Sequence, residues 1–161
     1  MRLKAKEIAY AGVFGGFAFA LRASNLVIPI GGPFVIDLRG IPGAVGAALS
    51  GPLGGIIVGL LAGLPAKYPI VDVPAFIVAY FLVGLLAGLI KRNELKFLSA
   101  LAVLAGYPVA AFIVWAIGLL PSFTIALMLV LPRAAVIIPI QLAILYVIFK
   151  RVSPILGRPE G

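Results

Sequence analysis

Apolar residues run through this chain in long blocks, and short clusters of proline, glycine and charge separate them. The blocks cover residues 5–21, 38–64, 74–90, 97–120 and 123–149. Most approach the roughly 20 residues that a membrane-crossing helix needs. An irregular stretch, residues 22–40, follows the first block and carries Asn25, Pro29, Gly31-Gly32-Pro33, Asp37 and Arg39. A polar connector at 65–73 holds Lys67, Tyr68, Pro69 and Asp72, and another reads Lys91-Arg92-Asn93-Glu94. Pro121-Ser122 divides the last two blocks, and residues 153–161 form a polar, frayed tail.

The block 38–64 is interrupted at Ser50-Gly51-Pro52. It reads as one tilted helix or as two short ones joined at that point. Charge decides between them. With one helix, Lys91, Arg92, Lys96, Lys150, Arg151 and Arg158 fall opposite Arg2, Lys4 and Lys6. With two helices, all nine share a side, and only Arg22, Arg39 and Lys67 face them, beside Asp37 and Asp72. Lys and Arg stay in cytoplasmic loops, which favours two helices. The expectation is an all-α, polytopic membrane protein: a single six-transmembrane-helix bundle with both termini cytoplasmic. The expected spans are 5–21, 38–50, 52–64, 74–90, 97–120 and 123–149. Each half of the interrupted pair has about 12–13 residues, roughly 19 Å, short for a ~30 Å hydrocarbon core. Such interrupted segments are tolerated where protein buries them or where they line a cavity.

Composition agrees. Of 161 residues, 63% are hydrophobic and 11% charged, with a mean hydropathy of +1.24. Soluble domains are about half apolar and about a quarter charged, and disordered chains are less hydrophobic still. The 19 glycines and 13 prolines follow no fixed period, so collagen is excluded. A net charge of +8 would point to nucleic acid in a soluble protein, but in a membrane chain it reads as cytoplasmic loop charge. No nucleic-acid partner is expected, and the expected location is a prokaryotic plasma membrane. Arg2, Lys4 and Lys6 before an apolar stretch mimic a secretory signal, yet equally apolar segments follow, and a retained first helix is the expectation. Cysteine and histidine are both absent, which removes thiol chemistry, disulfides, zinc and haem ligation and imidazole bases. No metal site and no cofactor is expected.

Three features carry candidate chemistry. The first helix has small residues at fourfold spacing, Ala11/Gly15, Gly12/Gly16 and Gly16/Ala20, which lie on one face and permit close helix approach. They serve either packing within the bundle or the docking of a partner. Gly51-Pro52-Leu53-Gly54-Gly55, continuing to Gly59 and Gly63, combines a helix-starting proline with a smooth glycine face. It lacks the lysine and hydroxyl of a phosphate loop. Arg133 is the one charge well inside an apolar span, about ten residues or ~15 Å from the outer end of the last helix. A guanidinium there faces a partner or a cavity. It is either paired with Asp37 or Asp72 or free as a bidentate clamp for a carboxylate or phosphate. Asn25, Asp37, Arg39, Lys67 and Asp72 map to the outer connectors, and Trp115 to the outer end of the fifth span. Each alone fits interfacial solvation or aromatic anchoring, but together they lie where Arg133 points, as expected of a substrate-binding set. Tyr80, Tyr107 and Gln141 are buried candidates of lower rank.

The run from Leu49 to Leu64, LSGPLGGIIVGLLAGL, resembles the substrate-binding S components of energy-coupling factor (ECF) transporters. In that family a Gly-Pro turn joins the second and third of six helices, and an Ala-x-x-x-Ala-type stripe on the first helix meets a membrane coupling protein. Here Ala11, Gly12, Gly15, Gly16 and Ala20 stand for that stripe, with glycine largely replacing alanine. The N-terminal histidine of the nickel and cobalt members is missing. The resemblance implies a binding protein that takes a small water-soluble vitamin or precursor from outside. The expected pocket is formed by the first connector, the 65–73 connector and the outer ends of helices four to six. A coupling protein and two cytoplasmic ATPases would power import.

A structural membrane scaffold is the competing expectation, with Arg133 then merely paired. An enzyme is not expected: Glu7, Asp37, Asp72, Glu94 and Glu160 are too scattered for metal-dependent phosphotransfer, and no histidine is present for a serine protease. A proton-coupled exporter would need an acid in the first helix core, whereas Glu7 lies at its end.

Overall fold

The structure, a computed structural model, describes residues 3–31 and 34–152. Arg2, Gly32-Pro33, Arg158 and the tail from Ser153 lie outside the described residues. In chain order the elements are α1 (Ala5–Ala23), β1 (Val27–Gly31), β2 (Phe34–Asp37), α2 (Gly40–Gly63), α3 (Pro69–Leu89), a 3-10 stretch (Asn93–Ala105) running into α4 (Gly106–Ala116), and α5 (Phe123–Val147), which ends in a π turn (Ile148–Val152). Four helices are long and apolar enough to cross a membrane: Gly40–Gly63, Pro69–Leu89, Asn93–Ala116 and Phe123–Arg151. α1 carries Lys6, Glu7 and Arg22 within its 19 residues and falls short of that measure.

α2 is not a rod. Gly51 has φ 72° and ψ −173°, a left-handed backbone that glycine alone adopts without cost. Pro52 has no N–H to offer the carbonyl four residues back, so the first arm's ladder ends there, while its fixed φ starts the second arm. The chain reverses at this point. Arg39 Nη1 donates to the Ala62 carbonyl at 2.7 Å, although a straight helix would hold residues 23 apart at a separation of roughly 35 Å. A Cβ on Gly46 would stand 3.3 Å from Val58 Cγ2, so the arms are antiparallel and in contact.

The second arm then lies along α3 with almost no side chain between them. A Cβ on Gly59 would fall 2.6 Å from Ile77 Cα, one on Gly63 2.6 Å from Val73 Cα, and one on Gly84 2.8 Å from Pro52 N. The fourfold glycine spacing is therefore a backbone-to-backbone seam. Alanines fill the surrounding core: Ala11, Ala18, Ala44, Ala47, Ala62 and Ala100 are fully buried. α1 packs on the hairpin through Ala11, Gly15 and Ala18, and a Gly15 Cβ would lie 2.8 Å from Leu61 Cδ1.

These contacts sort the connectors into two ends. Ala11 lies by Gly54, the Gly51 turn by Gly84, and Phe97 meets Tyr146 edge-on at 5.4 Å. Lys4, Lys6, Lys91, Arg92, Lys96, Lys150 and Arg151 belong to this end. The opposite end holds Arg22, Arg39, Lys67, Asp37 and Asp72.

Three expectations change in detail. The irregular stretch contains an antiparallel ribbon, with Val27 opposite Asp37 and Ile28 opposite Ile36. The polar connector is shorter than read, because α3 begins at Pro69 and takes Asp72 into its first turn, with Pro74 inside the helix. The fifth block stops being helical after Ala116, where Gly118 at φ 75° turns the chain.

The glycine seam yields a direct test. Gly59→Val should abolish recovery of monodisperse protein in detergent, because its branches would enter the α3 backbone. Gly12→Val, where nothing lies within 4 Å of a Cβ, should leave yield and melting temperature unchanged. Equal behaviour of the two variants in size-exclusion chromatography would refute the seam.

Candidate functional site

The end rich in both signs of charge encloses a cavity of about 500 Å³ between α3, α4 and α5, capped by the end of β2 and the start of α2. That volume is within the range of small-molecule pockets. One face of each helix supplies it: Tyr68, Asp72, Ala75 and Phe76 from α3 and its N-cap; Gly106, Tyr107, Ala110 and Val114 from α4; and Ala126, Val130, Arg133, Ile137 and Gln141 from α5.

Arg39 is the buried centre of the charged network, only 5% exposed. Its Nη2 donates to Asp72 Oδ2 at 2.5 Å, and its Nη1 to the Ala62 carbonyl at 2.7 Å. Nε stands 2.8 Å from Asp37 Oδ2, an ion-pair distance whose geometry is off line for a hydrogen bond. The guanidinium carbon lies 4.5 Å from the centre of the Phe76 ring. Asp37 also accepts from the Arg39 backbone N–H at 3.1 Å and lies 3.8 Å from Arg22 Nη1. Both acids are thus occupied by Arg39 and Arg22.

Arg133 has a different environment. Among the described residues it has no hydrogen bond and no ion pair, and it is exposed along the cavity wall. The alternative in which it pairs with Asp37 or Asp72 is not what the structure contains. Lys67 also lines the cavity, with Nζ 5.6 Å from the centre of the Tyr68 ring and no acid in contact. Two acids answer Arg22 and Arg39, so Arg133 and Lys67 leave this space positively charged.

Of the residues expected to bind substrate, Asp37, Arg39, Lys67, Asp72 and Arg133 come together here. Asn25 and Trp115 do not line the cavity. Asn25 occupies the left-handed turn after α1 (φ 53°) and is exposed. Trp115 faces outward at the end of α4, its ring 5.7 Å from that of Phe112. Tyr80, Tyr107 and Gln141, ranked lower from sequence, all line the wall, and Arg22, Tyr68 and Phe76 join them. The α3 residues 68, 72, 75, 76, 79 and 80 share one helical face, a pattern that Asp72 marks in the sequence.

The first-helix stripe divides. Ala11 and Gly15 pack inward on the hairpin, whereas Gly12, Gly16 and Ala20 are exposed, beside the outward Val13 and Phe17. Compared with known proteins, the chain matches no family model, no curated protein and no solved structure.

The contrast between the two arginines predicts opposite behaviour. Arg39→Ala strands the partly buried Asp72, leaves Asp37 only its longer contact with Arg22, and should cost about 3 kcal/mol, since removing one partner of a buried pair typically costs 3–5. The expected readout is a large fall in melting temperature in detergent. Arg133→Ala should leave the ligand-free melting temperature unchanged, and a comparable fall would mean that Arg133 is a structural partner after all.

Proposed function

We propose that this chain is the membrane-embedded substrate-binding subunit of an ECF-type uptake transporter. In this reading it captures a small, water-soluble, anionic solute, a vitamin or cofactor precursor, from outside. The observation that carries it is the unpaired Arg133 on the wall of an end-on cavity whose acids are already neutralised. A guanidinium among apolar helices is retained where something satisfies it, and its planar fork suits a carboxylate or phosphate.

The membrane arrangement belongs to the same proposal. The reversal at Gly51 makes six segments of the helical chain, and the described cations then favour a cytoplasmic location for both ends of the chain. The cavity would open to the exterior. A separate coupling protein and two cytoplasmic ATPases would drive release inward, the exposed Gly12, Gly16 and Ala20 face of α1 meeting the coupling protein and lipid surrounding the rest. A scaffold protein would need neither the free cation nor the cavity.

The chain has no native cysteine, so single-cysteine labelling is clean. Lys67→Cys should label from outside intact cells and Asn93→Cys only after permeabilisation; external labelling of Asn93→Cys would overturn the topology. Arg133→Ala should weaken binding of small carboxylates or phosphates by about 30-fold or more, the usual cost of truncating one partner of a desolvated charge pair. Arg133→Lys should be impaired nearly as much, because it loses the two-pronged geometry. Gly16→Leu should reduce co-purification with the coupling protein without lowering the melting temperature. Gly15→Leu should fail to fold, since Leu61 and Val58 occupy its space.

A further inference from the structure

Six charged residues line the cavity: Arg22, Arg39, Lys67 and Arg133 against Asp37 and Asp72. Arg39 lies against both acids and Arg22 against Asp37, so two positive charges are left over, on Lys67 and Arg133. The other acids among the described residues are at the opposite end of the bundle. Glu7 accepts from the Lys4 backbone N–H there, and Glu94 opens the 3-10 stretch beside Lys91 and Arg92. Both surplus cations are within reach of whatever enters, because Lys67 and Arg133 are exposed and both line the cavity.

The hydrogen bonds of the cap place the two cations on the same side of the Arg39 network. Gln141 Nε2 donates to the Gly40 carbonyl at 2.7 Å, which sets the level of α5 against the start of α2. Arg133 is two turns before Gln141, about 12 Å farther from the Gly51 turn. Arg39 bonds Asp72 in the first turn of α3, and Lys67 precedes Asp72 by five residues, again away from the Gly51 turn. Lys67 and Arg133 therefore face the outer part of one cavity from two elements, the connector into α3 and α5. Val130, one turn from Arg133, and Tyr107, packed on the Ala134–Ile138 cluster, make the neighbouring wall apolar and aromatic. A single carboxylate would satisfy one of these cations and leave the other. In the proposed orientation both lie on the side where membrane proteins keep few lysines and arginines. A cleft of one sign between low-dielectric walls draws ions of the opposite sign.

We propose that the solute is a dianion, with one negative charge met by Arg133 and the other by Lys67. A dicarboxylate meets them with separate groups, and a phosphate monoester with one. This rests on the reading of the cavity as a site for an anionic solute and adds the number of charges the solute carries.

Matched anions test it. The purified full chain, in a neutral detergent at pH 7.5, would be titrated by calorimetry and thermal shift with isophthalate against benzoate, glutarate against pentanoate, and phenyl phosphate against benzenesulfonate. Only the first of each pair is a dianion. At least one dianion should bind about tenfold or more tightly than its match. Preference in a dicarboxylate pair supports separate groups, and preference in the phosphate pair alone supports one shared group. Lys67→Gln should erase the preference, leave the affinity of the monoanions within about twofold, and leave the ligand-free melting temperature unchanged, because no acid pairs with Lys67. Lys67→Arg, which keeps the charge, should keep the preference. Equal affinities within all three pairs, no binding of any dianion, a preference that survives Lys67→Gln, or one that Lys67→Arg also loses overturns the inference. Arg133→Ala reports separately: it should weaken both members of each pair, and unchanged affinities would sink the anion-capture reading whatever the charge preference shows.

Discussion

One guanidinium ties together three parts of the chain at the cavity end of the bundle. Arg39 reaches the end of β2 through Asp37, the far end of the α2 hairpin through the Ala62 carbonyl, and the first turn of α3 through Asp72. A planar group with five donors in a fixed fork is suited to this, because each arm points along a set direction. Burying it costs desolvation that two carboxylates, a carbonyl and the Phe76 face together offset. The cap of the cavity, the top of the hairpin and the wall from α3 all meet at it. Because it consumes both nearby acids, it also leaves Arg133 without a protein anion.

The reversal in α2 was legible in the chain because glycine and proline have backbone restrictions no neighbour can override. Gly51 sits at a φ open to few residues, and Pro52 cannot continue the ladder behind it. Charge placement pointed the same way, since only a reversal gathers the lysines and arginines of separate connectors at one end. The ribbon of β1 and β2 was not legible: Pro29 lies inside β1, and a proline argues against a strand unless the strand is at an edge, as both strands of a two-stranded ribbon are. The start of α3 was obscured by Lys67 and Asp72, whose charges make helical residues look like connector.

Rotation about each helix axis is where sequence reasoning ran out. A segment apolar on every side has no moment to show which face is inward. Hence Trp115 and Val114, adjacent in sequence, part company, with Val114 on the cavity and Trp115 outside it. Gly15 and Gly16 divide in the same way, one under Leu61 and one in open space. Charged residues escaped this ambiguity. Asp37, Arg39, Lys67, Asp72 and Arg133 converge because each must find a partner or a polar space, and the bundle supplies that space at one end. Tyr80 and Gln141 could be named only as buried candidates of lower rank, since what distinguishes them is an unmatched atom that only coordinates reveal.

The shortness of the α2 arms has a consequence for distance. Each arm has about 11 or 12 residues, which at helical rise is roughly 17 Å from the Gly51 turn to the level of Gly40. The floor beside Gln141 is at that level. In the proposed orientation, a solute resting there would lie nearly half way through a ~30 Å hydrocarbon layer. Below it the second α2 arm and α3 meet backbone to backbone at Gly55, Gly59 and Gly84, with Val58, Val83, Leu145 and Phe149 packed around them. On the proposed function, what separates the bound solute from the other side is a layer of closely packed helices roughly as deep as one α2 arm is long.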